Sequence, residues 1–335
     1  MKRVSVVLCL VCALALSMFM FGCSSEPYVP QKKDAVVSGD ALNTDGVLRV
    51  GVDTSNPPYA AEAQGSIVGI NVDVAAALAD QLGLKLELVD VGAKTDQAFT
   101  QDNVDVVMGV QNQNDAYALT KPYLESAIVL FATESSTPEP QEGQDFKIAA
   151  QSSSMSAWEV TDHYGQERLS AEADLKSAFE ALRDGSVKYV AADAMIGAYV
   201  SHTLGIQAYP IAMLQTPTQY CMAVKADNAD LQTAVANALD VLENGGIIGV
   251  IESKWLGEPL DLSKLPTVAT ATVQQPAEGE GDASAEGDAS TGDEGTGEEG
   301  SADEGFSYST TEDDAGGVDE GAADVIDEGY ADDVE

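Results

Sequence analysis

Residues 47–88, VLRVGVDTSNPPYAAEAQGSIVGINVDVAAALADQLGLKLEL, constrain the fold more than any other stretch. Leu48-Arg49-Val50-Gly51-Val52 is short, rich in valine and apolar at alternate positions, which predicts a strand. Pro57 and Pro58 then remove two backbone donors and fix φ, so neither a strand nor a helix is expected to continue through them. The result is a stiff loop presenting Asp53, Asn56 and Tyr59 from the carboxyl end of a strand, where ligands sit in open α/β sheets. Gly65 and Gly69 punctuate a short return, and Asn71 is expected to cap a helix. Val74, Leu78 and Leu82 form one helical stripe that Gly83 stops. Leu84, Leu86 and Leu88 alternate, predicting a second strand and hence a βαβ unit.

Strand-like runs continue at 104–110, 127–133, 147–151, 189–192, 208–213 and 220–225. Helical patterns at 156–164, 172–184, 196–204, 231–244 and 249–255 alternate with them. This order predicts mostly parallel sheets covered by helices on both faces. Only residues from about 47 to 262 have the composition to bury a core, enough for one large or two small domains.

The two ends differ from that region. Lys2 and Arg3 precede an apolar run, and Gly22-Cys23 is followed by Ser24-Ser25-Glu26. This arrangement resembles a bacterial lipobox, which implies a signal peptide at 1–22, lipid on Cys23 and a flexible tether over 23–45. The plain alternative is a secretory signal or an uncleaved anchor. Cys9 and Cys12 would leave with the signal, so Cys221 stands alone, and neither a disulfide nor a metal cluster is expected. From Thr267 onward the chain holds 22 Asp and Glu and no Lys or Arg, more than half of the formal net charge of −40. Such a segment repels itself and cannot offset its ordering entropy, so 266–335 is expected to be disordered. The acidic balance and the lack of a basic patch argue against nucleic acid as a partner.

Four blocks together resemble the extracellular solute-binding proteins of ABC importers, in the family that captures polar amino acids. They are residues 48–59, the Val68-Gly69-Ile70-Asn71-Val72-Asp73-Val74 run, Pro122-Tyr123 before an apolar strand, and 244–257, which ends in Lys254-Trp255-Leu256-Gly257. The resemblance implies an α/β, two-lobe periplasmic-binding-protein-like (type II) fold with two crossing hinge strands. The first lobe would take 46–131 and 219–265, and the second 132–218. It further implies a monomer that closes on a small polar ligand, delivers it to an ABC permease and is held at the membrane through Cys23. A sensor or scavenger without a transporter is the alternative. A dehydratase-like enzyme on the same fold is a third.

Site residues carry over one by one. Asp193, ending the 189–192 strand, matches the family's carboxylate for a ligand ammonium, and is equally suited to cap the next helix. Ser152, Ser153 and Ser154 match a hydroxyl loop at a helix start that binds a carboxylate, with Met155 where the family commonly has Thr or Ser; a polar helix start without a ligand is the alternative. Asp53, Asn56 and Tyr59 match the first loop, where Tyr59 either stacks on ligand or packs on the helix behind it. Gly109, Val110, Gln111 and Asn112 occupy the turn in which the family carries a carboxylate-binding Arg, but no Arg or Lys lies between Lys94 and Lys121. The amides of Gln111, Asn112 and Gln113 donate hydrogen bonds without charge, which favours a cationic, amide-bearing or neutral polar ligand. His163 and His202 are the only histidines, and they lack metal-ligand spacing. No catalytic residue, cofactor or metal is expected.

Overall fold

The computed structural model describes residues 33–112, 114–141 and 143–268. The elements run β1 (Val47–Val52), β2 (Ser55–Asn56), β3 (Ala60–Ala63), β4 (Ser66–Val68), α1 (Ile70–Leu82), β5 (Lys85–Asp90), α2 (Thr95–Ala98), β6 (Val106–Val110), β7 (Tyr117–Leu119), β8 (Leu124–Ser126) and β9 (Ile128–Ala132). They continue as β10 (Ile148–Gln151), α3 (Met155–Tyr164), β11 (Leu169–Glu172), α4 (Leu175–Asp184), β12 (Tyr189–Asp193), α5 (Ala194–Thr203), β13 (Tyr209–Met213), β14 (Thr218–Lys225), α6 (Ala229–Asn244) and α7 (Ile247–Leu256).

Two main sheets define two lobes. The first has the order β5-β1-β6-β14-β7, with β8 also paired to β14; the second has the order β11-β10-β12-β9-β13. The two orders are the same pattern. In each sheet the first strand lies between the second and third, and a strand that arrives from the other lobe runs antiparallel beside the third. β9 is that strand in the second sheet, registered Asp193↔Ile128 and Val190↔Phe131 on β12. β14 is that strand in the first, registered Cys221↔Val110 and Val224↔Val106 on β6. These are the two hinge crossings of a type II two-lobe fold.

β9 can be central because it is apolar on both faces. Ile128, Leu130 and Ala132 face a core with Ala157, Val160 and Tyr189. Val129 and Phe131 face the opposite side with Ala178, Phe179 and Met195. Such two-sided burial suits a strand covered by helices on both faces. Gly197 lets α5 approach closely, since a Cβ there would stand 2.5 Å from the Phe131 ring. The Phe131 face is continuous with the core under α1, α6 and α7 of the first lobe. Helices also meet across the lobes. The Tyr199 ring of α5 lies 6.1 Å from the Trp255 ring of α7, and within the first lobe Asp73 on α1 holds α7 by accepting from Trp255 Nε1 at 2.7 Å and Lys254 Nζ at 2.9 Å.

Several elements depart from the sequence expectation. The double-proline stretch is a three-stranded ribbon, β2-β3-β4, whose first turn contains a cis Pro57–Pro58 bond. Pairing of Ser55 with Ala61 and Asn56 with Ala60 flanks the prolines, so no ladder donor is lost. Asn71 does not cap α1. Gly69 holds that position, at φ 142°, where a Cβ would stand 2.4 Å from the Tyr59 carbonyl oxygen. Asn71 turns inward instead and accepts from the Tyr123 hydroxyl at 2.6 Å. α4 begins at Leu175 rather than at 172, because the Asp174 carboxylate caps it by accepting from Ser177 N at 2.6 Å. That leaves residues through Glu172 free to form β11.

The expected tether over 23–45 is packed for the part described. Val37 and Leu42 are buried. Asp105, also buried, accepts from Asn43 N, Asn43 Nδ2 and Arg49 N, each at 2.8 Å. A buried carboxylate is stable only with such donors, so the segment is bound by necessity of charge as well as by apolar contact. Order also continues past 265. Met213 N donates to Pro266 O and Val268 N to Met213 O, both at 2.8 Å, so the chain returns from α7 to the edge of the second sheet. Cys23, Gln113 and the acidic tail from 269 lie outside the described residues.

That return generates a prediction. Truncation after Val268 should leave thermal stability unchanged. Truncation after Leu265 removes two hydrogen bonds and the Val268 contact, and should cost about 1–3 kcal/mol in chemical denaturation.

Candidate functional site: a cleft at the strand ends of the first lobe

A cavity of about 360 Å³ opens where β1, β5 and β6 end. Asp53 follows β1, Gly92 and Ala93 follow β5, and Gln111 and Asn112 follow β6; all five line it. Two larger hollows, of about 440 and 590 Å³, lie elsewhere. The first runs along the amino-terminal segment beside the start of α6. The second is bounded by residues 145–147 and 185–188, which precede β10 and β12. It therefore sits at the amino ends of strands, the wrong end of an α/β sheet for a ligand. Volume alone misleads here, and strand polarity selects the smaller cavity.

The lining comprises Asp53, Asn56, Tyr59, Asn71, Thr95, Gly109, Val110, Gln111, Asn112, Tyr117 and Tyr220, with Gly92, Ala93, Val107 and Met108. Seven of these were expected from the sequence: Asp53, Asn56, Tyr59, Gly109, Val110, Gln111 and Asn112. Asp53 Oδ1 accepts from Ser55 N at 3.0 Å and Ser55 Oγ at 2.6 Å, which fixes the loop. Gly109, at φ 76°, brings its backbone beside Asn71, where even a Cβ would approach Nδ2 to 3.4 Å. Tyr117 donates to Asn112 O at 2.8 Å and so holds the β6–β7 turn.

Tyr59 is buried against Tyr220, their ring centroids 5.0 Å apart at 32°. The ring partner of Tyr59 is therefore Tyr220 of the crossing strand β14, and Tyr59 also forms part of the cavity wall. Its hydroxyl is buried and makes no hydrogen bond, although Tyr220 and Ser126 are its neighbours. Burial, and then the nearby Asp193 charge, push this phenol well above its ordinary range; the same two causes raise Tyr220.

Asp193 belongs to the second lobe and caps α5, its Oδ1 accepting from Met195 N and Ile196 N at 3.0 Å. Its Oδ2 accepts from Ser126 Oγ at 2.7 Å, and Ser126 pairs with Thr218 where β8 meets the crossing strand β14. Asp193 is thus tied to the hinge beside Tyr59 and Tyr220. Burial raises its carboxyl, offset in part by the Ile196 amide, the Ser126 hydroxyl and the Met195 amide. The cap and the position next to the cleft coexist.

Ser153, Ser154 and Met155 do not line this cavity. Ser154 caps α3, accepting from Ala157 N at 3.1 Å and donating to Gln151 O at 2.7 Å. Ser153 sits at φ 61°, and Met155 is 58% exposed. The structure therefore brings the first-lobe residues together around the cavity, and leaves both the serine loop and Asp193, which is held at the hinge by Ser126, outside the lining. Asn71, Thr95, Tyr117, Ser126 and Tyr220 escaped the sequence reading. Tyr220 had a signal, an aromatic residue entering the second hinge segment; the others have short polar or ordinary core identities.

Nothing else among the described residues forms a competing centre. No group of His, Cys, Asp and Glu there is arranged to hold a metal. His163 is buried in the second lobe with Nε2 2.8 Å from Leu214 O. Cys221 is buried and its thiol is raised by burial, which makes it inert. Glu252 on α7 has its carboxyl pushed up to about 7 by burial, but it is not in the cavity lining.

Two lobes, two crossings and a cleft at the strand ends define a solute-binding protein architecture. The family model for bacterial extracellular solute-binding proteins, family 3, matches residues 48–258, and the chain belongs to that family. Among solved structures, a polar amino acid ABC uptake transporter substrate-binding protein from Streptococcus thermophilus is similar at 18% identity and TM-score 0.58, over 64% of this chain and 87% of that one. The second substrate-binding domain of Lactococcus lactis GlnP is similar at 21% identity and TM-score 0.52, over 66% and 100%. The L-cystine solute receptor of Neisseria gonorrhoeae is similar at 16% identity and TM-score 0.53, over 66% and 98%. At these identities the likeness is one of fold. No curated protein matches the chain.

The dual position of Asp193 is testable. Asn can still accept the two α5 amides, so Asp193→Asn should leave the melting temperature at neutral pH unchanged or higher, since the burial cost of the charge is gone. Asp193→Ala removes the cap and should be less stable than Asp193→Asn by about 1 kcal/mol in thermal denaturation.

Proposed function

We propose that this family 3 protein is a lipid-anchored capture subunit that holds a small polar solute, an amino acid or an amino-acid-like compound, for uptake by an ABC permease. The observation that carries this is the cleft itself. Its floor is built from three strand ends of one lobe, and Asp193 of the other lobe is tied by Ser126 to the hinge from which Tyr220 lines it. A solute placed there touches the first-lobe loops and the hinge at once. Rotation about β9 and β14 then brings the second lobe over it, including Ser153, Ser154 and Met155 at the start of α3. The serine loop lies outside the cavity lining in this state, as such a movement requires.

The tyrosines supply apolar faces with polar edges, and the amides of Asn56, Asn71, Gln111 and Asn112 supply oriented donors and acceptors. This is a lining for recognition of a small polar molecule. No step of catalysis is assigned to it, because no nucleophile and base meet in the lining. The names of the structural neighbours, which include a polar amino acid transporter component and an L-cystine receptor, agree with uptake as the setting. Residues 1–22 would be the signal peptide, Cys23 the lipidated residue, and 46–131 with 219–265, and 132–218, the two lobes.

A thermal-shift screen of amino acids, their amides and small amines on the full chain tests this proposal. A solute at a hundred times its Kd should stabilise the protein by about 2.7 kcal/mol, a shift of a few degrees. Absence of a shift with every compound would contradict capture. Cys23→Ser should release the protein from the membrane fraction, and retention would contradict the anchor.

A further inference from the structure

The charges around the cleft are one-sided. Its lining contains a carboxylate, four side-chain amides, a threonine and three tyrosines, and no Lys, Arg or His. A second carboxylate, Asp193, stands outside the lining but at the hinge, held at 2.7 Å by Ser126 of β8, the strand that pairs with β14 from Thr218 to Tyr220. Lys94, whose neighbours Ala93 and Thr95 both line the cavity, is itself exposed and outside the lining. Three other cations are committed to carboxylates. Lys121 pairs with Asp240 and Glu243, Lys254 with Asp73, and Lys33 with Asp80.

A solute entering this site meets negative charge and the electron-rich faces of tyrosine rings, with neutral amides for its remaining polar groups. A cation gains from both features, since ammonium groups are attracted to carboxylates and to ring faces. A carboxylate has no countercharge, and beside Asp193 it meets repulsion in a partly desolvated setting. The buried Tyr59 hydroxyl, 3% exposed as a residue and beside the Tyr220 and Ser126 hydroxyls, adds a polar position within the same wall. A phenol can accept from an ammonium N–H.

Resting on the capture role proposed above, we infer that the cleft takes a small organic ammonium ion that carries no carboxylate, its nitrogen directed to Asp193 and the Tyr59–Tyr220 pair. Gln111, in the lining, exposed and beside the Tyr220 hydroxyl, is the position at which this preference can be reversed, because a cation introduced there would give a carboxylate its countercharge.

Matched pairs that differ in a carboxylate isolate the claim: cadaverine with lysine, putrescine with ornithine, and choline with glycine betaine. Each is titrated calorimetrically into the full chain at low salt. In at least one pair the carboxylate-free member should bind more tightly by about tenfold or more. Gln111→Arg, a change at an exposed position, should move that ratio toward the carboxylate-bearing member by about tenfold. If the carboxylate-bearing member binds as tightly or more so in every pair that binds, the inferred ligand class is wrong and solute capture stands. The same holds if none of the six binds but another amino acid does. If none of these compounds binds at all, both the class and the capture role are overturned.

Discussion

The hydrogen bond from Ser126 to Asp193 is the contact on which the site depends. It joins the strand before the first crossing to the end of β12 in the other lobe. Asp193 is half-buried and acidic, and three donors stabilise it, two of them the second and third amides of α5. The helix start, the hinge and the carboxylate are one unit. A change to any of them moves the charge that stands next to the tyrosine wall.

The architecture explains why the charge is there. Each sheet is completed by a strand from the opposite lobe, so β12 pairs directly with β9, and its last residue, Asp193, is registered on the first residue of the crossing. The same logic on the other side sets Tyr220 at the head of β14, over Tyr59. The cleft thus draws its polar contacts from strand ends and its aromatic wall from the hinge.

Much of the fold was legible because it rests on periodicity. Val74, Leu78 and Leu82 are all buried, and the apolar runs at 127–133 and 189–192 are central strands. What periodicity could not convey was how short polar residues are used. Asn71 reads as a cap but is consumed by Tyr123, while Asp174 caps a helix that the apolar pattern begins earlier. The Pro-Pro loop reads as a break in pairing, yet the ladder simply resumes on either side of it. In the site, residues following strands were identifiable from polarity and order alone. Ser126 and Tyr117 were not, because one acts through a partner 67 residues away and the other through a hydrogen bond to the backbone of Asn112. The packing of 33–45 was hidden for a similar reason, since its chief partner is the buried Asp105 some 60 residues away.

The central claim is that ligand is held between the first-lobe strand ends and Asp193. A crystal structure of the full chain grown with its tightest-binding solute tests it most directly. The account predicts ligand density against Tyr59 and Tyr220, a nitrogen within hydrogen-bond distance of Asp193, and the α3 start closer to Gln111 than in the unliganded chain. Ligand seated in either of the other two hollows, or lobes unchanged around it, would contradict the account.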